Sequence, residues 1–259
     1  MLETDLELLK RAALEAGKVA LEYHRSSFQV WDKPDEAGPV TDADLAVNRL
    51  LLETLKGARP EYGWLSEESE DDKDRLKREA CFVVDPIDGT RSFINKENTW
   101  SHSLAITREG RPVAGVVYLP ALDLLFTAEV GDTARLNGQP IAVSEQTSLD
   151  AARLLAVKIA QSSKFWKQGQ VPKFERHHRP SLAYRLCLVA QGRFDGMLTF
   201  RDSWEWDICA GSLIAECAGA RVSDVYGQPL KFNNAFPKTK GAVAAAPQVH
   251  EDIMTLSDP

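Results

Sequence analysis

The chain has 259 residues, of which 38 are acidic and 31 basic, for a formal net charge of −7. Charged residues make up 27% and apolar ones 44%, a balance that excludes a disordered chain, and no run reaches the roughly 18 apolar residues of a membrane helix. The acid excess argues against a protein that grips a nucleic-acid backbone, which needs a basic face, but it leaves room for a small phosphate-bearing ligand.

In chain order, residues 3–25 are predicted as an amphipathic helix, with Leu6, Leu9, Ala13, Ala16, Ala20 and Tyr23 at helical spacing. The start, Met1-Leu2-Glu3-Thr4-Asp5, lacks the basic and apolar regions of a signal peptide, so a cytoplasmic location and no membrane contact are expected. Residues 28–39 read as a loop, with Pro34, Gly38 and Pro39 among mixed charges. A second helix is predicted from Thr41 or Asp42 to about Lys56, its first turn acidic. Residues 67–80 are charge-dense and expected in solvent. Strand-like runs follow at 81–84, 103–107, 113–118 and 124–128, which suggests a mixed or antiparallel sheet. Asn137-Gly138 is a strong turn signal ahead of a further strand-like run at 140–143.

The second half alternates. Strands are predicted at 154–157, 197–200, 222–223 and 243–245, and helices at 181–191 and 206–218, each followed by a glycine. Residues 172–180 read as a polar loop. Four cysteines stand singly in apolar stretches, which is buried-thiol usage rather than a disulfide framework. A weak division near 135–150 gives two expected halves, 1–140 and 141–259.

The most informative stretch is Val84-Asp85-Pro86-Ile87-Asp88-Gly89-Thr90. It follows a buried strand, and open α/β sheets place ligands at such a carboxyl edge. Two carboxylates in one tight turn repel unless a cation lies between them. Gly89 permits close backbone approach, and the N–H groups of Gly89 and Thr90 can face an anion if a helix begins there. Alone, an Asp-x-x-Asp turn is more often a surface turn; the apolar strand before it and Gly-Thr after it favour metal and phosphate. Of two further acidic clusters, Ser66-Glu67-Glu68-Ser69 alone reads as a solvated charge run, and in Trp206-Asp207 a helix cap accounts for Asp207 as well as a functional role does. In Asp42-Ala43-Asp44, capping explains one Asp but not obviously both.

Together these segments, with Val40-Thr41-Asp42-Ala43-Asp44 and Trp206-Asp207-Ile208-Cys209-Ala210-Gly211, occur in the order and approximate spacing of a known family. The chain resembles the inositol monophosphatase family of magnesium-dependent, lithium-sensitive phosphomonoesterases. The resemblance implies an α/β fold, a layered αβαβα sandwich of the inositol monophosphatase and fructose-1,6-bisphosphatase type. It implies that Asp85 bridges two Mg²⁺ ions. Glu67 and the carbonyl of Ile87 would complete one site, and Asp88 with Asp207 the other. A weak third ion would reach Glu67 through water. Thr90, paired with Asp44, would orient and deprotonate the attacking water. The segment from Trp31 to Pro39 would close on metal and substrate, and a homodimer is expected by analogy.

Within the family, inositol phosphatases carry a Glu seven residues before the Trp-Asp aspartate, and here that position is Phe200. A carboxylate accepts hydrogen bonds from sugar hydroxyls and a phenyl ring does not. Residues 184–192 and Phe200 look more like the bacterial 3′(2′),5′-bisphosphate nucleotidases, in which a Lys stands where Arg185 stands here. Gly89, Thr90, Arg185, Phe200 and Asp207 are therefore the expected substrate contacts, and adenosine 3′,5′-bisphosphate the favoured small phosphorylated metabolite. Inositol 1-phosphate and histidinol phosphate stay open as substrates, as does a regulatory protein that keeps the fold. For Phe200 core packing, and for Trp204 a rim aromatic, are the commoner fates. His177 and His178 are expected as solvated loop residues.

Overall fold

The computed structural model describes residues 3–33 and 38–259. Helix α1 (Asp5–Arg25) begins where Thr4 Oγ1 accepts the N–H of Glu7, and it buries Leu8, Leu9, Ala12, Ala13, Ala16, Gly17 and Ala20. Its small residues bring it close to the sheet beneath. A Cβ on Gly17 would lie 2.6 Å from the Tyr118 ring. Two short antiparallel strands, β1 (Val30–Asp32) and β2 (Pro39–Thr41), lead into α2 (Asp42–Ala58). Much of the segment expected to close over the site, Pro34 to Ala37, lies outside the described residues.

The larger sheet contains β3 (Gly63–Ser66), β4 (Ala80–Asp88), β5 (Ser101–Arg108), β6 (Arg111–Leu119), β7 (Leu124–Glu129), β8 (Arg135–Leu136) and β9 (Gln139–Pro140), in that order; a short helix, α3 (Thr90–Ile94), interrupts the chain after β4. β3 pairs parallel with β4 and all later neighbours are antiparallel. The sheet is mixed because the segment between β3 and β4 carries the chain back to start β4 in the same direction, whereas the later connections reverse it. Both faces of β4 are buried. Phe82 and Val84 point to the core under α1 and α2, while Cys81 and Val83 point to a second core. Double burial is why this strand reads as a continuous apolar run. Asn137 (φ 48°) and Gly138 (φ 81°) form the tight β8–β9 turn.

The smaller sheet has the order β11-β10-β12-β16-β14, from β10 (Arg153–Ala156), β11 (Glu175–His177), β12 (Gly196–Thr199), β14 (Arg221–Ser223) and β16 (Ala242–Ala245). β10, β11 and β12 are parallel. Helices α4 (Leu182–Ala190) and α5 (Glu205–Cys217) fill the space between the two sheets, and α6 (Pro247–Leu256) covers the far face. A small pair, β13 (Ser203–Trp204) with β15 (Lys238–Thr239), flanks the start of α5. The layers are thus helix, sheet, helix, sheet, helix: the α/β sandwich expected from the resemblance. All four cysteines are free, and Cys81, Cys187 and Cys209 are buried.

Three expectations change. The polar stretch 172–180 contains β11, an edge strand stabilised by backbone pairing to β10 rather than by an apolar face. The strand expected at 140–143 is instead the short β9, Gln139–Pro140, although the N–H groups of Ile141 and Val143 donate to the carbonyls of Ala134 and Ala218. The charge-dense run 67–80 is not wholly solvated. Arg75 is buried, bonded to Asp71 and to the Asn233–Asn234 turn. Among the described residues no helix is long and apolar enough to cross a membrane.

Candidate metal centre and its cleft

Parallel pairing brings the carboxyl ends of β3 and β4 side by side, with the first turn of α5 opposite them. Asp85 pairs with Ser103 and Asp88 with Ser101, so Pro86 and Ile87 together face only His102. This is a β-bulge, a device that re-aims side chains at a strand end. His102 Nδ1 meets the Pro86 carbonyl and steadies it. Gly89 follows at φ 99°, and a Cβ there would lie 3.3 Å from the Thr99 carbonyl. The Thr90 hydroxyl donates back to the Ile87 carbonyl at 3.2 Å.

Glu67 follows β3 directly, its N–H bonded to the Val84 carbonyl. Asp207 lies inside the first turn of α5, where the helix dipole favours a negative charge. The residue flanking that helix is Trp204, so capping does not account for Asp207. Glu67, Asp85 and Asp207 each place a carboxylate oxygen within 4.8 Å of the others. Burial first, then repulsion from Glu67, Asp88 and Asp207, pushes Asp85 well above the usual carboxylate range. Burial and the Asp88 and Glu67 charges do the same to Asp207. Asp85 Oδ1 is buried with no hydrogen-bond partner. Crowded acids, an orphaned buried oxygen and a donor set made only of oxygen suit a hard divalent cation such as Mg²⁺.

Asp88 stands slightly apart from that trio. Its Oδ2 accepts the Ser181 hydroxyl at 2.6 Å and the Ala183 N–H at 2.8 Å, which ties β4 to the start of α4. Burial raises its pKa to about 6 against those two bonds. Asp207 converges most tightly on Glu67 and Asp85, and the Asp88 charge also acts on it.

Asp44 has two duties on one side chain. Its Oδ2 accepts the Thr41 N–H at 2.8 Å and the Thr41 hydroxyl at 2.6 Å, which closes a capping box on α2. Its Oδ1 faces the Thr90 hydroxyl at 3.4 Å. Burial pushes its pKa up to about 6. Asp42, by contrast, accepts the N–H of Gln29 and holds the preceding chain.

A cleft of about 540 Å³ opens beside these residues, lined by Glu67, Thr90, Arg91, His178, Ser181 and Arg185 among others. Gly89 also lines it. Arg185 is only 8% exposed, so it is no solvated helix cation; its guanidinium meets His178 Nε2 at 3.0 Å. Phe200 is corrected. It does not line the cleft, and its ring stacks on Phe165 at 4.3 Å and meets Trp166 edge-on, because an apolar ring gains more from that cluster than from a charged wall. Trp204 stacks on Trp206 at 4.6 Å under Lys238. His177 pairs with Glu175, whereas His178 reaches the cleft.

Two contributors were not singled out from the sequence. Lys33 Nζ reaches Glu67 Oε1 at 2.7 Å and Glu68 Oε1 at 2.5 Å. Ser181 bridges Asp88 and the N-terminus of α4 from a positive φ of 62°. Both act across more than thirty residues, and no local spacing signals such a contact. Ser181 was placed inside the predicted helix 181–191; a serine ahead of an apolar helical run can signal a cap, but not a partner for Asp88.

A sequence model described as the inositol monophosphatase family matches residues 1–258. The 3′(2′),5′-bisphosphate nucleotidase CysQ of Salmonella typhimurium is 30% identical over 232 residues, covering 88% of this chain and 93% of that protein. The inositol-1-monophosphatase of Rhizobium meliloti is 33% identical, covering 87% and 88%. The Nus factor SuhB of Pasteurella multocida is 31% identical, covering 98% and 96%. Among solved structures, a Thermotoga maritima IMPase superposes with a TM-score of 0.82 at 27% identity, covering 96% of this chain and 95% of that one.

Proposed function

This chain belongs to the inositol monophosphatase family, whose members are metal-dependent phosphatases, and we propose that it is a 3′(2′),5′-bisphosphate nucleotidase that converts adenosine 3′,5′-bisphosphate to AMP and phosphate. The observation that carries the substrate is Arg185, buried at the cleft wall next to His178 and Arg91, where a second phosphate needs positive charge. Glu67, Asp85, Asp88, Asp207 and the Ile87 carbonyl would hold two Mg²⁺ ions, with a weaker third near Glu67. Such ions supply charge to the phosphate oxygens and acidity to water.

The chain's own groups do the rest. Asp44 spends Oδ2 on Thr41 and keeps Oδ1 for Thr90, so the Thr90 hydroxyl is aimed and its neighbour can take a proton. The attacking water is oriented by Thr90 and gives its proton toward Asp44. The new P–O bond forms as the ester P–O bond breaks, and the departing 3′ oxygen is protonated to the hydroxyl. Position and charge suffice for most of the catalysis of such in-line transfers.

Phosphate release with Mg²⁺ from adenosine 3′,5′-bisphosphate, inositol 1-phosphate, fructose 1,6-bisphosphate and histidinol phosphate tests this reading. The nucleotide is expected to show the highest kcat/KM; a higher value for inositol 1-phosphate rejects the substrate and leaves the phosphatase class standing. An inositol phosphatase is the second reading, favoured by the likeness to the Rhizobium enzyme. A regulatory role without catalysis is disfavoured, since Asp44, Glu67, Asp85, Asp88, Thr90 and Asp207 are all present.

A further inference from the structure

Residues 151–194 carry nine basic side chains and one acid, Glu175, so this stretch is +8 while the remainder of the chain carries −15. The stretch is one region of the fold: β10, β11, α4 and the residues between them, at the outer edge of the smaller sheet. Since β10, β11 and β12 run parallel, their carboxyl ends lie together, and the chain beyond them carries Lys158, His178, Arg179 and Arg201. Ligands of open α/β sheets gather at such an edge. His178 and Arg185 belong also to the cleft wall, so the band runs into the cleft.

The charge is left over for a ligand. Glu175 pairs with His177 at 2.9 Å and Arg153 with Asp195 at 3.3 Å. Among the described residues Lys158, Lys164, Lys173, Arg176 and Arg179 make no ion pair with a carboxylate, and Lys164 and Lys173 are exposed. Lys164 lies 4.5 Å above the ring of Phe165, which stacks on Phe200. Lys173 precedes β11 and lies at the amino end of these strands, roughly 16 Å of extended chain from His178 at their carboxyl end, so the band runs along the edge strand. Screening over about 8 Å at physiological salt limits the reach of acids distant from the outer part of this band, so the net charge of −7 does not decide what that part binds.

We propose that this band is a track for the phosphodiester backbone of a short single-stranded oligonucleotide whose 3′-terminal phosphate enters the cleft. It rests on the phosphatase reading above. A polyphosphate ends in an anhydride and an acidic peptide in a carboxylate; an oligonucleotide is the chain polyanion that can end in the phosphomonoester this cleft hydrolyses. Water adds to the terminal phosphorus, the P–O3′ bond breaks, the 3′ oxygen takes a proton, and inorganic phosphate leaves. The internal diesters stay on the lysines and arginines. Spaced cations with an aromatic platform are the usual means of holding a single strand.

The test compares phosphate release from adenosine 3′,5′-bisphosphate and from a 3′-phosphorylated tetra-adenylate at low and moderate salt, for the intact protein and for Lys164→Glu/Lys173→Glu. Both lysines are exposed, and a melting curve checks that the variant folds. The oligonucleotide is expected to be the better substrate at low salt, to lose kcat/KM more steeply as salt rises, and to lose about tenfold in the charge-reversed variant. Turnover of the bisphosphate is expected to change less than about twofold, because it carries no chain to meet the band. An oligonucleotide hydrolysed more slowly than the bisphosphate, or indifferent to charge reversal, overturns the track. If the bisphosphate is not hydrolysed, the nucleotidase reading fails by itself. Fluorescence anisotropy of a labelled tetra-adenylate then decides the track, which is overturned if charge reversal leaves that binding unchanged.

Discussion

Asp85 joins a buried oxygen without a hydrogen bond to repulsion from Glu67, Asp88 and Asp207. Removing its charge relieves the metal-free protein while removing a ligand. Asp85→Asn is expected to abolish phosphate release and to raise the melting temperature without Mg²⁺, by roughly 2–4 °C for each kcal/mol of repulsion relieved. Retained turnover would reject the site. Arg185→Met tests the wall. A hydrogen bond to a charged group contributes about 1.5–3 kcal/mol, so kcat/KM for the bisphosphate should fall about 10–100-fold, while a substrate with one phosphate loses far less. An equal loss on both substrates would mean that Arg185 holds the helix rather than a second phosphate. The aspartates of the Asp-x-x-Asp turn were legible because three-residue spacing, proline and glycine fix that turn locally. Lys33 was not, because its contact with Glu67 crosses 34 residues of chain.

At the scale of elements, the proposed water activation rests on the start of α2. Thr41 caps that helix and anchors Asp44 Oδ2, so Thr41→Ala should cost about 1 kcal/mol in a denaturant titration. It should also lower kcat more than it raises KM, since Asp44 loses the bond that aims Oδ1 at Thr90. A KM effect alone would contradict that placement. Helix α6 offers a pH probe remote from the cleft. His250 accepts or donates at 2.8 Å with Ser223 on β14, and burial, then Arg221, lowers its pKa to about 4. A lowered folded pKa means that the unfolded chain binds the proton more readily. The stability His250 contributes is therefore present above its unfolded pKa of about 6.5 and lost as pH falls through about 4. Urea titrations of His250→Gln between those limits should show a shallower loss of stability than the parent; parallel curves would show that His250 does not titrate there. Helix α6 itself was missed in the sequence, since Val249 and Ile253 give it a narrow apolar stripe.

The whole molecule brings five carboxylates, Asp44, Glu67, Asp85, Asp88 and Asp207, to one place between two sheets. Setting them aside leaves 33 acids against 31 bases, so these five carboxylates are numerically most of the acid excess. Millimolar Mg²⁺ is expected to raise the melting temperature, because a ligand that binds only the folded state stabilises it. A melting curve indifferent to Mg²⁺ would count against convergence of these acids. The sequence by itself determined the chemistry on offer. Carboxylates, a Gly-Thr turn and apolar runs with their periods are local, and short-range sterics and backbone hydrogen bonding set them. Only the tertiary structure decided which acids meet, that Asp88 is tied to α4 through Ser181, that Phe200 packs away from the cleft, and that the basic stretch 151–194 runs into it. Those arrangements follow from sheet order and from α4 and α5 packing between the sheets, where burial across distant segments outweighs the preference of any single residue.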